Sequence, residues 1–333
     1  MKKQVMNFLS MALMALVLFS CGGGSGKKGS GGKSLFTPVS SGHPYEMLVV
    51  IDKDMWERPA GRALFNALDM DVPGLPQPER SFRISQIIPD KFERGFRIFR
   101  NIIDVDIQPI YTQPKLKYSR DSYSSPQMIM TIQAPDEASF EEFVNKNKQV
   151  IVDFFTKAEM NRQINLLKEK YSDVVATKVG SMFGCDVRVP VGFERYKQGK
   201  DFFWTSEDRP GSEVSMNFVV YSYPYTDKNT FTRDYFIHKR DSVMKLNIPG
   251  SLEGQYMATD TNYVNVREFS IKGEYAFEAR GLWYMENDMM GGPFVSHARV
   301  DRPNGRVIVV EAFVYAPKDK KRDMMRQLEA ALY

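Results

Sequence analysis

The 333-residue sequence contains few of the side chains that most often hold metals or act as nucleophiles. It has two cysteines and three histidines, and no histidine has a second histidine or a cysteine at the spacing of a metal site. The phosphate loop, the dinucleotide fingerprint and the Gly-x-Ser-x-Gly motif of many hydrolases are also missing. We therefore expect no metal and no cofactor.

The sequence also lacks a run of charge of one sign. Lysine and arginine alternate with acidic residues along the chain, and the formal net charge is +4. Proteins that track a nucleic-acid backbone usually carry a basic stripe. Nucleic acid is therefore not an expected partner.

The longest apolar run is too short to span a bilayer. It extends from Phe8 to Phe19 behind Lys2 and Lys3, whereas a spanning helix needs roughly 20 apolar residues. A charged start, a short apolar core and small residues at its end predict a signal peptide over residues 1–20. The sequence Leu18-Phe19-Ser20-Cys21 resembles a bacterial lipobox, which implies that Cys21 is acylated and becomes the new N-terminus.

The next segment, residues 21–44, is predicted to be a flexible tether. Residues 22–34 are only glycine, serine and lysine, and such a composition behaves as a flexible chain. We therefore expect the protein to contact the membrane through the lipid on Cys21.

Cys185 has no partner for a disulfide and is interpreted as a small buried side chain.

The remaining chain predicts an α+β fold of two α/β-layered domains with largely antiparallel sheets. The first domain spans 45–172 and ends in a long helical region, which begins at Asp136 as N-cap. Pro109 to Pro126 is interpreted as a polar connection between strands. The second domain spans 173–333.

The second domain is predicted to contain an antiparallel meander and a closing helix. Lys272-Gly273 and Asn304-Gly305 are hairpin turn sequences, and both central residues of such turns take positive φ. The closing helix is predicted to start at Pro317 and to bury Met325, Leu328 and Leu332. The four strands of the meander are predicted at Tyr263–Lys272, Glu274–Glu286, Phe294–Arg302 and Arg306–Tyr315.

Candidate chemistry lies on two neighbouring strands of this meander. Strand alternation places Glu278, Arg280, Tyr284 and Glu286 on one face, and antiparallel pairing brings the row His297, Arg299, Asp301 beside it. His297 is then a candidate general base oriented by Glu286 or Asp301, with Arg280 nearby. The alternative is a solvated sheet face with cross-strand ion pairs.

The loop between the same two strands is the candidate ligand or partner surface. It exposes two methionines beside two glycines, and flexible thioethers suit an adaptable apolar contact. A plain hairpin with its methionines in the core is the competing interpretation. The candidate residues are Trp283, Tyr284, Met289, Met290, Gly291 and Gly292.

The segment from Arg280 to Val295, with Gly305–Tyr315 and the end of the chain, resembles an uncharacterised family of envelope lipoproteins in Bacteroides-type bacteria. That family has no known catalytic residues. The resemblance implies that the protein belongs to a cell envelope with two membranes. Residues 22–28 contain no acid, which favours an anchor in the outer membrane that faces the periplasm.

Three functions are compatible with these features. The leading hypothesis is a lipid-anchored binding or scaffold module of the cell envelope with an envelope protein as partner. The second is a periplasmic hydrolase or small-ligand enzyme that uses the face around His297. The third is a carrier of a lipid or another apolar ligand in a cavity between sheet and helix.

Overall fold

The computed structural model describes residues 37–208 and 211–333, and Pro38–Tyr333 form one structural unit with two β-sheets. Cys21, the signal peptide and most of the tether lie outside the described residues. None of the helices in the described part of the chain has the length and apolar character needed to cross a membrane. The predicted α+β class is confirmed.

The first sheet has five strands in the order β2-β1-β3-β5-β4. The strands are β1 Glu46–Val50, β2 Arg83–Ile87, β3 Asn101–Ile107, β4 Lys115–Arg120 and β5 Met128–Ala134. Helices α1 Lys53–Glu57, α2 Pro59–Leu68 and α3 Arg94–Arg97 lie between its first three strands. The central strand β1 is almost entirely buried, as expected for a strand covered on both faces.

Strand direction in this sheet differs from the prediction of largely antiparallel pairing. Three of its four pairings are parallel, and only β4 and β5 run antiparallel. Helical segments between β1, β2 and β3 return the chain to the same edge, and such crossovers are what parallel pairing requires. Alternation of apolar residues predicts a strand but does not specify its direction.

The segment from Pro109 to Pro126 is not only the polar connection that its composition predicts. It contains β4, whose residues are mostly exposed. An edge strand of lysine, tyrosine and serine lacks the apolar alternation that identifies a strand in the sequence.

The predicted long helix is present as α4 Glu137–Glu169. Asp136 accepts a hydrogen bond from the Ser139 amide at its N-terminus, so the predicted cap is confirmed. A second helix, α5 Asp173–Phe183, follows after a short break and ends at Gly184 with φ +70°. The first half of α4 packs on the first sheet through Phe140, Val144 and Phe155.

The second sheet has seven antiparallel strands in the order β6-β7-β8-β12-β11-β10-β9. The strands are β6 Arg195–Gln198, β7 Phe202–Asp208, β8 Ser215–Pro224, β9 Met257–Ile271, β10 Glu274–Met285, β11 Gly291–Asp301 and β12 Arg306–Tyr315. The four predicted meander strands are β9 to β12. Helix α6 Arg233–Asn247 covers one face and α5 covers the other, together with the closing helix α7 Arg322–Glu329.

The two predicted turns behave differently. Lys272 and Gly273 both have positive φ, as predicted. At the second turn only Gly305 does, because Arg302–Asn304 form a short 3₁₀ helix that ends at Gly305. The prediction for Asn304 is therefore wrong, since the extra residues of this connection let a helical turn replace the tight hairpin.

The closing helix starts at Arg322 rather than at Pro317, and it buries Met325, Leu328 and Leu332 as predicted. Its start is set by a residue of the preceding half of the chain. The Glu79 carboxylate accepts hydrogen bonds from the backbone amides of Lys321 (2.7 Å) and Arg322 (3.0 Å). A carboxylate at free helix amides is a strong N-terminal cap, so tertiary contact determines where α7 begins.

Candidate functional site

Glu278 of β10 and His297 of β11 lie directly opposite each other, as the predicted polar rows require. His297 Nε2 lies 3.2 Å from Glu278 Oε2, and His297 Nδ1 lies 3.3 Å from the carbonyl oxygen of Leu332. The rings of Phe269 and Tyr333 cover the imidazole edge-on. His297 is only 2% exposed, so this face is covered by the end of the chain rather than by solvent.

The Glu278 carboxylate is held strongly in its charged form. Burial raises its pKa, but the hydrogen bonds from His297 and Arg267 outweigh burial and hold the pKa of Glu278 well below its usual range. Arg267 donates two hydrogen bonds to it, from Nε to Oε1 at 2.8 Å and from Nη2 to Oε2 at 2.7 Å. A carboxylate with such a low pKa is a poor proton acceptor.

The predicted partners of His297 are elsewhere. Glu286 lies eight residues beyond Glu278 along the chain of β10, about 26 Å in an extended strand. Asp301 binds Arg306 at 2.8 Å. The prediction that either residue orients His297 is therefore wrong, because strand register selects Glu278 as its neighbour.

Arg280 is placed as predicted but is already paired. Its guanidinium contacts both carboxylate oxygens of Glu329 in α7 and lies 3.5 Å from Glu278 Oε1. Burial lowers the pKa of Arg280, but Glu329 and Glu278 outweigh burial and raise it overall. Gly74 leaves room for the Arg280 side chain, since a Cβ on Gly74 would lie 2.5 Å from Arg280 Cγ.

The predicted loop surface is divided by the structure. Trp283 is 2% exposed and packs on Phe313, whereas Met289 is 99% exposed. Met290 is half-buried against the core. The glycines have a packing role, because a Cβ on Gly292 would lie 2.0 Å from the Val314 carbonyl oxygen. The six candidates therefore do not form one surface.

Tyr284 is separated from Glu278 and Arg280. It lines a cleft of about 580 Å³ beside α6, together with His238 and Asp241. Burial raises the pKa of Asp241, although its hydrogen bond from Thr259 opposes that shift. Side-chain alternation along a strand places Tyr284 on the same face as Glu278 and Arg280, so alternation alone does not predict this separation.

A second, larger cleft of about 1250 Å³ lies between α4, the β9–β10 hairpin and the last residues of the chain. Pockets for small molecules commonly measure about 300–1,000 Å³. The cleft is therefore large enough for an extended ligand. It contains Glu278 and Arg280 in its wall, and His297 lies behind that wall.

One wall of the cleft is a face of α4. The residues recur at three- and four-residue intervals, which is the spacing of one helix face: Gln149, Val152, Asp153, Thr156, Lys157, Met160, Asn161, Ile164, Leu167 and Lys168. Glu159 lies on a neighbouring face of the helix, is buried and binds Arg100 and Arg162 at 2.8 Å each. Of the apolar cleft residues, Val152 and Leu167 are buried in the two cores, whereas Met160 and Ile164 are half-buried.

The facing wall carries an ionic group that we call the cleft cluster: Arg267, Arg280, Arg326, Glu278 and Glu329. Tyr333 closes this wall, and burial raises its pKa to about 12, so the phenol is neutral at pH 7. Over the whole lining, cations outnumber anions by seven to five. The cations are Lys157, Lys168, Arg188, Arg267, Lys272, Arg280 and Arg326, and the anions are Asp71, Asp153, Asp186, Glu278 and Glu329.

The local sequence patterns do not indicate the α4 wall, Arg267 or Arg326 as site residues. A signal for α7 was present, because Arg322, Arg326 and Glu329 recur at helical spacing beside the apolar face of Met325 and Leu328. Along α4 the apolar residues shift from one face of the helix to another, so the pattern does not mark one face as the wall of a site. Nothing in the sequence alone indicated that Arg267 faces the same cleft.

The fold and site define an α+β protein with a large cleft that has one wall of mixed apolar and polar residues and one arginine-containing wall. No group of His, Cys, Asp and Glu side chains within residues 37–208 and 211–333 is arranged to hold a metal.

Comparison with known proteins agrees with an uncharacterised family. Residues 40–168 match the family model of a domain of unknown function, DUF8532, and residues 172–333 match another, DUF4837. No curated protein matches the chain. The lipid transfer and protein localization domain of human StarD13 (DLC2) aligns with 42% of this chain and 90% of its own, at 8% identity and a TM-score of 0.22. That similarity is too low to indicate a shared fold.

Proposed function

We propose that this protein is a lipid-anchored binding module of the cell envelope, and that the cleft holds a lipid or another ligand with a long apolar part. The cleft supports this proposal by its size and by its two unlike walls. Apolar surface in such a cleft favours an apolar ligand at roughly 25 cal/mol per Å² removed from water.

The single observation that carries the proposal is the apolar stripe that α4 turns toward the opening. Met160 and Ile164 line the cleft and are only half-buried, with part of each side chain packed against the core of the second sheet. Val152 and Leu167 beside them are already buried in the two cores. Apolar surface that stays partly exposed in a cleft favours an apolar ligand, and we assign a ligand to the exposed part of Met160 and Ile164.

The hydrolase alternative receives less support from the geometry. Both ring nitrogens of His297 lie within hydrogen-bonding distance of Glu278 or Leu332, and the ring is sealed from the cleft. A general base must reach the proton that it removes. The enzyme hypothesis therefore has no reacting position at this histidine in the described structure.

The binding proposal is tested by extracting the purified chain with organic solvent and analysing the extract by mass spectrometry. We expect a bound apolar compound in the wild type and its loss in Ile164→Gln. The matched control is Leu166→Gln, two residues away on the same helix and 53% exposed. An empty extract from protein purified without detergent, or equal recovery from both variants, would argue against the cleft as the site.

The anchor and location are part of the same proposal and rest on the sequence. We propose that Cys21 carries the lipid, that residues 22–34 connect it to the folded part, and that the protein is held at the outer membrane facing the periplasm. Labelled palmitate should enter the wild type and not Cys21→Ala, and the variant should leave the membrane fraction. Retention of Cys21→Ala in that fraction would contradict the anchor.

A scaffold role with an envelope protein is the second form of the binding hypothesis. Met289 is fully exposed at the tip of the β10–β11 loop, where a partner can reach it. Cross-linking in cells followed by purification should recover one reproducible envelope protein, and Met289→Ser should reduce its recovery. A chain recovered alone would leave the cleft ligand as the sole proposed function.

A further inference from the structure

Arg326 differs from the buried Arg280 and the half-exposed Arg267 of the cleft because it has no direct carboxylate partner. It is 5% exposed, yet it forms no ion pair with any of the described residues. Its Nη1 donates one hydrogen bond to the Ser81 carbonyl oxygen at 2.9 Å, and its guanidinium lies 3.9 Å from the centre of the Tyr45 ring. Burial lowers the pKa of Arg326.

The neighbouring arginines use the available carboxylates. Glu278 is bound by Arg267, and Glu329 is bound by Arg280. The cleft cluster thus has three guanidinium groups and two carboxylates, a net charge of +1. The excess charge lies in the wall of a cleft, where a ligand has access to it.

Burial outweighs Glu329 and Asp323, which act on Arg326 only at longer range, and lowers the pKa of Arg326. A buried cation without a direct anionic partner is unfavourable, because desolvation is only partly repaid. A guanidinium has five N–H donors, and Arg326 uses one of them within the described residues. Carboxylate and phosphate groups match the guanidinium fork and form its strongest hydrogen bonds. The site is therefore built to accept an anion.

We infer that the ligand is an amphiphile with an acidic head, a carboxylate or a phosphate monoester, which Arg326 binds while the apolar tail lies along α4. This inference rests on the proposed function and adds the chemistry of the head group. Tail contacts come from the half-buried Met160 and Ile164 on the α4 wall.

The test measures binding to the full chain carrying Cys21→Ala, so that no attached lipid competes. The probes are dodecanoate, dodecyl phosphate, dodecanol and inorganic phosphate, and the readout is calorimetry. We expect the two acids to bind about tenfold or more tightly than dodecanol, because a charge-assisted hydrogen bond contributes that much affinity. Inorganic phosphate should bind far more weakly than either acid.

Three variants test whether the preference for acidic probes depends on Arg326. Arg326→Met should weaken binding of the acids about tenfold or more and leave dodecanol binding unchanged. Arg326→Lys keeps the charge and should restore part of the affinity. Arg120→Met removes one exposed positive charge far from the cleft lining and should change nothing.

The failures of the two proposals are distinguishable. If dodecanol binds as tightly as the acids, or Arg326→Met leaves acid binding intact, the head-group inference is overturned and the proposed function stands. If inorganic phosphate binds as tightly as dodecyl phosphate, the site takes a free anion and the tail contact is wrong. If none of the long-chain probes binds, both proposals fall. Should Arg326→Met not fold, the wild-type probe series and Arg326→Lys still decide.

Discussion

Two groups of arginine and glutamate in this protein differ in burial and in charge balance. The first, which we call the closed cluster, consists of Arg240, Glu311, Ser296 and Thr259 inside the second sheet. Arg240 Nη2 lies 2.7 Å from Glu311 Oε1, and both side chains are fully buried. The second is the cleft cluster, where three arginines share two carboxylates.

The closed cluster is complete without a ligand. Ser296 donates to Glu311 at 2.6 Å, Arg240 donates to Thr259 at 2.8 Å, and the Phe294 ring lies 4.1 Å from the guanidinium. Burial lowers the pKa of Arg240, but Glu311 outweighs burial and raises it overall. A satisfied buried network specifies the packing around it, whereas an unbalanced one at a cleft indicates a missing partner.

The largest expected effect breaks the closed cluster. Glu311→Gln keeps the shape but leaves buried Arg240 with only Asp241, at 3.9 Å, as a negative neighbour, which should lower the free energy of unfolding by about 3–5 kcal/mol. Urea unfolding followed by circular dichroism measures it. The double variant Arg240→Leu, Glu311→Leu should recover much of the loss, and a single-variant loss below about 1 kcal/mol would remove the basis of the comparison.

The next effect concerns the helix that carries Arg326. Glu79→Ala removes the acceptor of two backbone amides at the start of α7, which should lower the free energy of unfolding by about 1–3 kcal/mol. Glu57→Ala, on the exposed side of α1, is the control. Equal stability of the two variants would show that α7 is positioned by other contacts.

The third effect is a dependence on pH within the cleft cluster. The pKa of Glu278 is lowered in the folded state, so its ionised form contributes stability above the unfolded pKa of about 4.3, and that stability is lost as the pH falls. Wild-type stability should decrease below about pH 5, with a slope from this group of up to about 1.4 kcal/mol per pH unit. Glu278→Gln should flatten that slope, and an unchanged slope would contradict the assignment.

The smallest expected change in stability is that of Arg326→Met, which compares the cleft cluster directly with the closed cluster. Arg326→Met removes a charge that has no carboxylate partner, so relief of desolvation should offset the lost hydrogen bond and ring contact. The free energy of unfolding should stay within about 1 kcal/mol of wild type. Thermal unfolding in the absence of added ligand measures it, and a loss as large as that of Glu311→Gln would mean that Arg326 is structural.

Sequence patterns predict this structure best where local chemistry decides local structure. The strands β9 to β12, the Asp136 cap, the Lys272-Gly273 turn and the buried face of α7 were predicted and are present. Sequence patterns predict it least well where an element has no apolar alternation, as in β4. The domain boundary, the lipid anchor and the location remain predictions.

The sequence by itself determined the α+β class and the two polar rows that place Glu278, Arg280 and His297 on one face, because alternation and turn residues act over a few positions. Only the tertiary structure decided that α7 covers that face, that His297 is sealed, and that Arg326 remains without a carboxylate. Charge balance in a buried cluster depends on which side chains meet across distant elements. No local pattern in the chain contains that information.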